Sequence, residues 1–203
     1  MQLYGFWRSG NTRKVRLCLA ELGADYTFVV VDLASGAQRA PDYLRLNPNG
    51  VVPTLVDGDL VLWESSAILL YLAEKYPQAG LLPVRLDERA RVYKWLVWQP
   101  ATFNPPRQRL VAELARPPAQ RDPAVIASLR GIIDRNLEIL AEALGCNEYL
   151  LGRYTLADLV MLPHLAALRD ADFALPGTID RYLDRLAARP AWQATLALSH
   201  PAT

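Results

Sequence analysis

The chain has 203 residues, 52% hydrophobic and 21% charged, and its 22 basic and 21 acidic side chains give a net charge of 22 − 21 = +1. This composition excludes a wholly disordered chain, and the near-neutral charge argues against nucleic acid as a main partner. Two cysteines and two histidines, scattered along the sequence, make neither a disulfide framework nor a zinc site.

Localisation signals are absent from the sequence as given. No apolar run approaches the roughly 20 residues that a membrane span requires. The first residues lead directly into a strand pattern and lack the basic and apolar regions of a secretory signal. We therefore expect a cytoplasmic protein that neither enters a membrane nor binds a metal.

Strand and helix signals are mixed over the first 76 residues. The predicted elements are a strand at 3–6, a helix at 11–22, a strand at 26–31, a short helix at 42–46, a hairpin at 53–63 around Asp57-Gly58, and a helix at 65–76. The β-branched and aromatic residues of the second strand indicate that it is buried. Strand, helix and strand in succession favour a right-handed parallel unit, so the segment is βαβ followed by ββα.

A different pattern follows a stretch at 77–86 that contains Gly80 and two prolines and is typical of a linker. The helices predicted beyond it lie at 87–115 with proline interruptions, 124–144, 155–170, 178–188 and after Pro190. The sequence therefore predicts an α/β domain at 1–76 and an all-α domain at 87–203.

Some side chains with potential chemistry are better explained as structural. Cys18 lies on the apolar face of the first helix, which is typical of a core thiol. Thr155 and Asp158 have the spacing of a capping box. His164 follows a proline inside an apolar helix and is predicted to be a buried, hydrogen-bonded histidine rather than a catalytic base.

Ser9 and Asn11 stand where the first strand joins the first helix. Backbone N–H groups are unpaired at a helix start, and the helix dipole is positive there, so an anion is stabilised at this point. Either side chain could add a hydrogen-bond donor to such an anion. The alternative is that one of them only caps the helix.

Two further segments carry candidate binding groups. Pro53 begins a strand; a cis Val52–Pro53 bond would leave the Val52 backbone facing outward to pair with an extended ligand, and the alternative is an ordinary edge-strand proline. Ser65 is an N-cap candidate for the next helix, whose start favours a ligand carboxylate, while Glu64 could pair with a ligand ammonium. The alternative is a capped helix with a solvated glutamate.

Taken together and in this order, these motifs resemble the cytosolic glutathione transferases over nearly the whole chain. The motifs are Tyr4-Gly5 with Ser9-x-Asn11-x-x-Lys14-Val15, Asn47-Pro48-Asn49-Gly50-x-Val52-Pro53, Glu64-Ser65-x-Ala67-Ile68-x-x-Tyr71-Leu72, and Tyr154-Thr155-Leu156-Ala157-Asp158. The similarity is to serine- and asparagine-type members, of bacterial theta-, nu- or phi-like character. It implies an α/β thioredoxin-like N-terminal domain followed by an all-α C-terminal domain, and a homodimer.

The resemblance implies that the first domain binds glutathione as a cosubstrate, with no permanently bound cofactor. Ser9 or Asn11 would donate a hydrogen bond to the thiolate of glutathione. Val52 would pair with its cysteinyl backbone, beside a cis Pro53. Glu64 and Ser65 would hold the ammonium and carboxylate of its γ-glutamyl group.

The glycyl end of glutathione is where this chain departs from the family. Gln38 stands where relatives place a side chain that contacts the glycine carboxylate. Relatives commonly have a lysine or arginine just before the Val-Pro pair, whereas this chain has Val51. Arg39, beside Gln38, is the expected substitute cation.

The helical domain would contribute the pocket for a small apolar electrophile. Trp98, Phe103 and Arg107 are the residues that the resemblance suggests for its lining, and the alternative for the aromatic pair is the protein core. The implied activity is attack of the glutathione thiolate on that electrophile. Glutathione-dependent peroxidase or isomerase chemistry shares the same first step, and a non-catalytic interaction module is the rival interpretation.

Overall fold

The computed structural model describes residues 1–197, which divide into two compact units. One unit comprises Met1–Leu82 together with the segment that begins at Ala187, and the other is Pro83–Leu186. Residues 198–203, which include His200, belong to the predicted all-α domain and lie outside the described residues. Within the described part, no helix combines the length and apolarity needed to cross a bilayer.

The first unit contains a four-stranded mixed sheet of order β2-β1-β3-β4. The strands are β1 (Gln2–Gly5), β2 (Thr27–Val30), β3 (Thr54–Asp57) and β4 (Leu60–Trp63). β1 and β2 are parallel, whereas β3 is antiparallel to both β1 and β4. The parallel unit and the hairpin predicted from the sequence are both confirmed.

Helices connect and cover this sheet. They are α1 (Gly10–Leu22), α2 (Pro41–Leu46) and α3 (Ser65–Lys75). α1 buries one side against α3 and ends at Gly23, whose φ of 60° is the left-handed conformation that glycine adopts readily. Gly5 at the end of β1 is needed for close packing, because a Cβ there would overlap the Thr12 side chain of α1.

The second unit is helical. Its helices are α4 (Leu86–Trp98), α5 (Asn104–Leu114), α6 (Pro123–Leu144), α7 (Leu156–Leu159), α8 (Leu162–Arg169) and α9 (Gly177–Ala187). A π-helical segment at Gln99–Phe103 joins α4 to α5 and contains Pro100, one of the prolines expected to interrupt this stretch. The thioredoxin-like domain followed by a helical domain is therefore the observed architecture.

The prediction that the second strand is buried is wrong. β2 lies at the edge of the sheet with β1 as its only neighbour, so Thr27 and Val30 are exposed and Phe28 and Val29 are partly covered. Only Val31, just past the strand, is fully buried. Apolar sequence alone does not separate an edge strand from a central one.

The predicted single helix at 155–170 is two helices, α7 and α8. Pro163 lies in the first turn of α8 and has no backbone N–H to continue a ladder from α7. The chain therefore restarts at Leu162 rather than running through.

The last described helix, α10 (Pro190–Ala197), packs on α1 within the first unit, whereas the sequence assigned this segment to the all-α domain. Trp192 of α10 is buried. Arg189, just before the helix, donates twice to the Glu21 carboxylate, at 2.6 and 2.8 Å. The chain thus returns to the first unit after completing the second.

The capping box predicted at the start of α7 is present. Buried Asp158 accepts hydrogen bonds from the Thr155 N–H at 3.0 Å, the Leu150 N–H at 2.8 Å and the Tyr182 hydroxyl at 2.8 Å. One carboxylate therefore ties the loop before α7, the helix start and α9 together.

We expect Asp158→Ala to lower the free energy of unfolding by about 3 kcal/mol or more, because it leaves three buried donors without an acceptor. Urea denaturation followed by circular dichroism would measure this loss. Asp134→Ala, which removes an exposed carboxylate on α6, is the matched control and should change stability by about 0.5 kcal/mol or less. Equal effects of the two substitutions would contradict the structural role.

Candidate active site

A loop between α2 and β3 is held in place through the carbonyl of Val51. The Asn47 side-chain amide donates to this carbonyl at 2.8 Å, and the Tyr43 hydroxyl donates to it at 2.6 Å. Both side chains also hydrogen-bond to Thr54 Oγ1, at 3.2 and 3.0 Å. Because Asn47, Tyr43 and Thr54 are buried, the residues that follow Val51 have a fixed position.

The Val52–Pro53 peptide bond is cis, as the resemblance implies. Thr54 is the first residue of β3, so the ladder of the sheet begins beyond this bond. The Val52 N–H and C=O make no hydrogen bond with the part of the chain that the structure describes. They are therefore available to an extended ligand backbone.

The start of α1 carries the two candidate thiolate donors. Ser9 is the N-cap, and its Oγ accepts a hydrogen bond from the Thr12 N–H at 3.4 Å, so this side chain does cap the helix. The hydroxyl proton of Ser9 is not used in that bond. Asn11 lies in the first turn, and its Oδ1 is buried without a hydrogen-bond partner among residues 1–197.

The start of α3 has an unusual backbone. Glu64 precedes the helix with φ 70° and ψ 109°, a conformation that is strained for a residue with a side chain. Its carboxylate does not cap the helix and is exposed. Ser65, which the sequence offered as an N-cap candidate, is instead the first helical residue, because Glu64 occupies the N-cap position, and Ser65 is buried. The helix start therefore presents unpaired N–H groups beside a carboxylate.

These three segments meet at one cavity of about 170 Å³. Its lining residues are Asn11, Val51, Val52, Pro53, Glu64 and Ser65. The structure thus brings together one of the two proposed thiolate donors and four of the six proposed glutathione contacts. Ser9, Gln38 and Arg39 are not part of this lining.

The residues proposed for the glycyl carboxylate lie on the turn before α2. Arg39 is exposed, and Gln38 has a buried Oε1 without a hydrogen-bond partner in the described chain. Val51 lines the cavity and is 52% exposed, so no cation stands at its position. The cavity is consequently apolar at this end.

A lysine close enough to interact with Glu64 is buried, and its burial was not predicted from the sequence although the residue is part of a family motif. Lys14 follows Asn11 by three residues on α1 and is fully buried. Burial lowers the pKa of Lys14 to about 7, although the negative charge of Glu64 opposes this shift. Lys14 precedes Cys18 by four residues and therefore lies on the same apolar face of α1. This periodicity could have predicted that Lys14 is buried.

The residues proposed for the electrophile pocket all belong to the second unit. Trp98 stacks on Phe103 with ring centroids 5.6 Å apart, and Phe103 is fully buried. Phe103 therefore belongs to the core, which was the alternative for the aromatic pair. Arg107 donates twice to Asn104 Oδ1, at 3.1 and 2.9 Å, and burial lowers the pKa of its guanidinium.

The predicted burial of two other side chains is confirmed. Cys18 is fully buried, and burial raises the pKa of its thiol well above the ordinary value, so the thiolate form is strongly disfavoured. His164 is buried in α8. Among residues 1–197, no group of three or more His, Cys, Asp or Glu side chains is placed to hold a metal ion.

A four-stranded mixed sheet, a cis-proline at the start of β3 and an adjacent helix N-terminus define a thioredoxin-like domain. The glutathione S-transferase N-terminal domain family matches residues 1–74. Glutathione S-transferase 3 of Zea mays is 38% identical over 97% of this chain and 93% of its own length. The chain belongs to the glutathione S-transferase family.

Other relatives agree with this assignment. Glutathione S-transferase F10 of Arabidopsis thaliana is 34% identical over 90% of each chain. The crystal structure of poplar glutathione transferase F1 matches with a TM-score of 0.88 at 27% identity, covering 98% of this chain and 97% of that one. The theta class enzyme of Xanthomonas axonopodis pv. citri, with glutathione bound, matches with a TM-score of 0.85 at 36% identity, covering 96% and 95%. The curated relatives named here are plant proteins, so they give no support to a bacterial assignment.

Lys14 makes the stability of the protein depend on pH. Its pKa is about 7 when folded and 10.5 ordinarily, so between these values the unfolded chain binds more protons and stability rises with pH. The expected slope approaches about 1.4 kcal/mol per pH unit. Urea denaturation at about pH 7.5 and about pH 9 should show wild-type stability rising relative to Lys14→Met.

The matched control for this prediction is Lys94→Met, which removes an exposed ammonium of α4. The difference between wild type and this variant should stay constant over the same pH range. A constant difference between wild type and Lys14→Met would contradict the assignment of a lowered pKa to Lys14.

Proposed function

We propose that this protein activates the thiol of glutathione as a thiolate and delivers it to a small apolar electrophile. The observation that carries the proposal is the cavity where the Asn11 amide, the unpaired backbone of Val52 and the α3 start meet. An anionic sulfur, a peptide backbone and an amino-acid head group each find a complementary partner there.

The head group of glutathione matches the start of α3. The exposed Glu64 carboxylate is a partner for the γ-glutamyl ammonium, and the N–H groups near Ser65 favour its carboxylate. Both charges of this group are then compensated within one short segment. The N–H and C=O of Val52 would pair with the cysteinyl backbone, as a strand edge pairs with an added strand.

The thiol would then lie toward the start of α1. A free thiol has a pKa of about 8.5, and lowering it by one unit requires about 1.4 kcal/mol. A hydrogen bond to a charged group contributes about 1.5–3 kcal/mol, so one donor together with the helix start shifts the thiol by roughly one to two pKa units. At the upper end of this range the thiol pKa is about 6.5, so the thiol is mostly ionised at neutral pH.

Asn11 is the better placed of the two candidate donors. Its side chain lines the cavity, and neither amide atom is engaged by another described residue. The amide can accept through Oδ1 and donate to sulfur through Nδ2 at the same time. Ser9 is retained as the second candidate because its hydroxyl proton is not used in capping.

The remaining assignments are extensions of this proposal. Trp98 and Arg107 are proposed contacts of the electrophile, whereas the burial of Phe103 gives it a supporting role beneath Trp98. Residues 1–76 would bind glutathione, with Gln38 and Arg39 at its glycyl end. With these residue roles, the proposed protein is a cytoplasmic enzyme of the serine or asparagine type that acts in detoxification.

A homodimer is part of the proposal. The edge strand β4 exposes Leu60, Val61 and Trp63, each to about two fifths of its surface. Exposed apolar side chains on an edge strand are typical of a protein–protein contact. A second copy of this chain is the proposed occupant.

We expect Asn11→Ala to raise the pKa of bound glutathione by one to two units and to lower the conjugation rate about 10- to 100-fold, because the thiolate loses its donor. Ultraviolet absorbance of the thiolate against pH measures the first effect, and 1-chloro-2,4-dinitrobenzene serves as the electrophile for the second. Ser9→Ala should lower helix stability by about 1 kcal/mol.

The control variants are Asn147→Ala and Ser128→Ala, both of exposed residues remote in sequence from the site. A raised thiol pKa in Ser9→Ala alone would assign the donor to Ser9 instead. An unchanged thiol pKa in the double variant Ser9→Ala, Asn11→Ala would contradict the proposed mechanism.

Calorimetric titration with reduced glutathione should show one saturable site per chain. Glu64→Gln and Ser65→Ala should each weaken binding about tenfold, because each removes a partner of the head group. Glu138→Gln, on the exposed face of α6, should leave binding unchanged. Retained binding of S-methylglutathione would show that recognition does not need the thiol.

Absence of glutathione binding at millimolar concentration would favour the interaction-module interpretation, for which the missing cation at Val51 is the supporting feature. Binding without conjugation would favour peroxidase or isomerase chemistry at the same thiolate. Assays with cumene hydroperoxide would separate peroxide reduction from conjugation.

A further inference from the structure

A second and larger cavity lies in the first unit, beside α2. Its volume is about 480 Å³, within the range of small-molecule sites, and it shares no lining residue with the candidate active site. It lies between the edge strand β2 and the helix α2. Nothing in the proposed reaction uses it.

The wall of the cavity on the strand side is apolar. Val29, Val30 and Val31, at and just past the end of β2, line it together with residues of α2 and of the segment before α2. Val30 is 45% exposed at this edge. Ala37 and Ala40 also line the cavity, and neither has a long side chain that could fill it.

Aromatic rings and a neutral pair of charges complete the lining. Tyr4 and Tyr43 have ring centroids 6.3 Å apart at an interplanar angle of 50°. The only charged lining residues are Asp42 and Arg45, which form an ion pair at 2.6 Å and are exposed. Because these two charges cancel, the lining is complementary to an uncharged ligand.

We propose that this cavity is a binding site for an uncharged aromatic small molecule, packed between the valines of β2 and the rings of Tyr4 and Tyr43. The size excludes a folded partner, and the apolar walls disfavour an ion. Tilted aromatic contacts of this kind add to the free energy of apolar burial.

Tyr43 connects this site to the candidate active site. Its ring lines the larger cavity, while its hydroxyl donates to the Val51 carbonyl that positions Val52 and Pro53. Val31, Tyr43 and Val52 also form one buried cluster. A ligand that shifts the ring therefore alters the segment proposed to pair with glutathione. This coupling rests on the proposed function, whereas binding to the cavity does not.

Binding is tested with 2-naphthol as the uncharged probe and 2-naphthoate as its charged counterpart. Titration of the ¹⁵N-labelled full chain should give saturable amide shifts for residues 29–31 and 37–46 with naphthol. Naphthoate should bind about tenfold more weakly, since its carboxylate loses water on entry. Equal or tighter binding of naphthoate would overturn the assignment of an uncharged ligand.

Ala40→Trp fills the cavity and should weaken naphthol binding about tenfold or more. Ala34→Trp is the matched control, because Ala34 is exposed on the same connecting segment and does not line the cavity. Saturable shifts confined to other residues, or equal binding by Ala40→Trp and Ala34→Trp, would overturn the site. Ser65→Ala should bind naphthol with the same affinity as the wild type, whatever the effect of this substitution on glutathione binding.

Coupling is measured as the change in glutathione Kd at saturating naphthol, expected to be about fivefold in wild type. Tyr43→Phe keeps the ring and removes the hydroxyl, so it should retain naphthol binding and lose the coupling. Coupling that persists in Tyr43→Phe would overturn the role of the hydroxyl. Absence of glutathione binding in wild type would be a failure of the proposed function, and the naphthol titration would still decide the site.

Discussion

The position of one carbonyl group determines the geometry of the candidate site. The Val51 oxygen is held by two buried donors, the Asn47 amide and the Tyr43 hydroxyl, and both are braced on Thr54. Val52 therefore has a fixed place although its own N–H and C=O have no partner in the described chain. Preorganisation of this kind removes the entropy that a mobile loop would lose on binding a ligand.

Charge at the site is arranged around this fixed segment. The starts of α1 and α3 supply partial positive charge, and Glu64 supplies a full negative one. Lys14 stands behind them, buried and with a pKa near neutrality, so its ammonium is only partly populated at physiological pH. The backbone dipoles at the two helix starts, unlike the ammonium of Lys14, do not titrate.

Much of the fold and of the candidate site could be predicted from the sequence, because local patterns specify local structure. The Asp57-Gly58 hairpin, the helix starts and the capping box at Thr155 each depend on a few adjacent residues. The exposure of β2 and the return of α10 to the first unit depend on neighbours far away in sequence, and no local pattern reports them. The burial of Lys14 was not predicted, because a lysine is rarely fully buried and is usually expected to be solvated.

The two cysteines differ in how accessible their thiols are to reactive compounds. Under the proposed function, the electrophilic substrate would also meet the sulfur atoms of the protein itself. Cys18 is buried in the core of α1 with a thiol that resists ionisation, so alkylating agents have no nucleophile to attack there. Cys146, exposed just after α6, is the one thiol open to reagents. A single fluorophore attached through maleimide chemistry would therefore report from a known point on the helical unit.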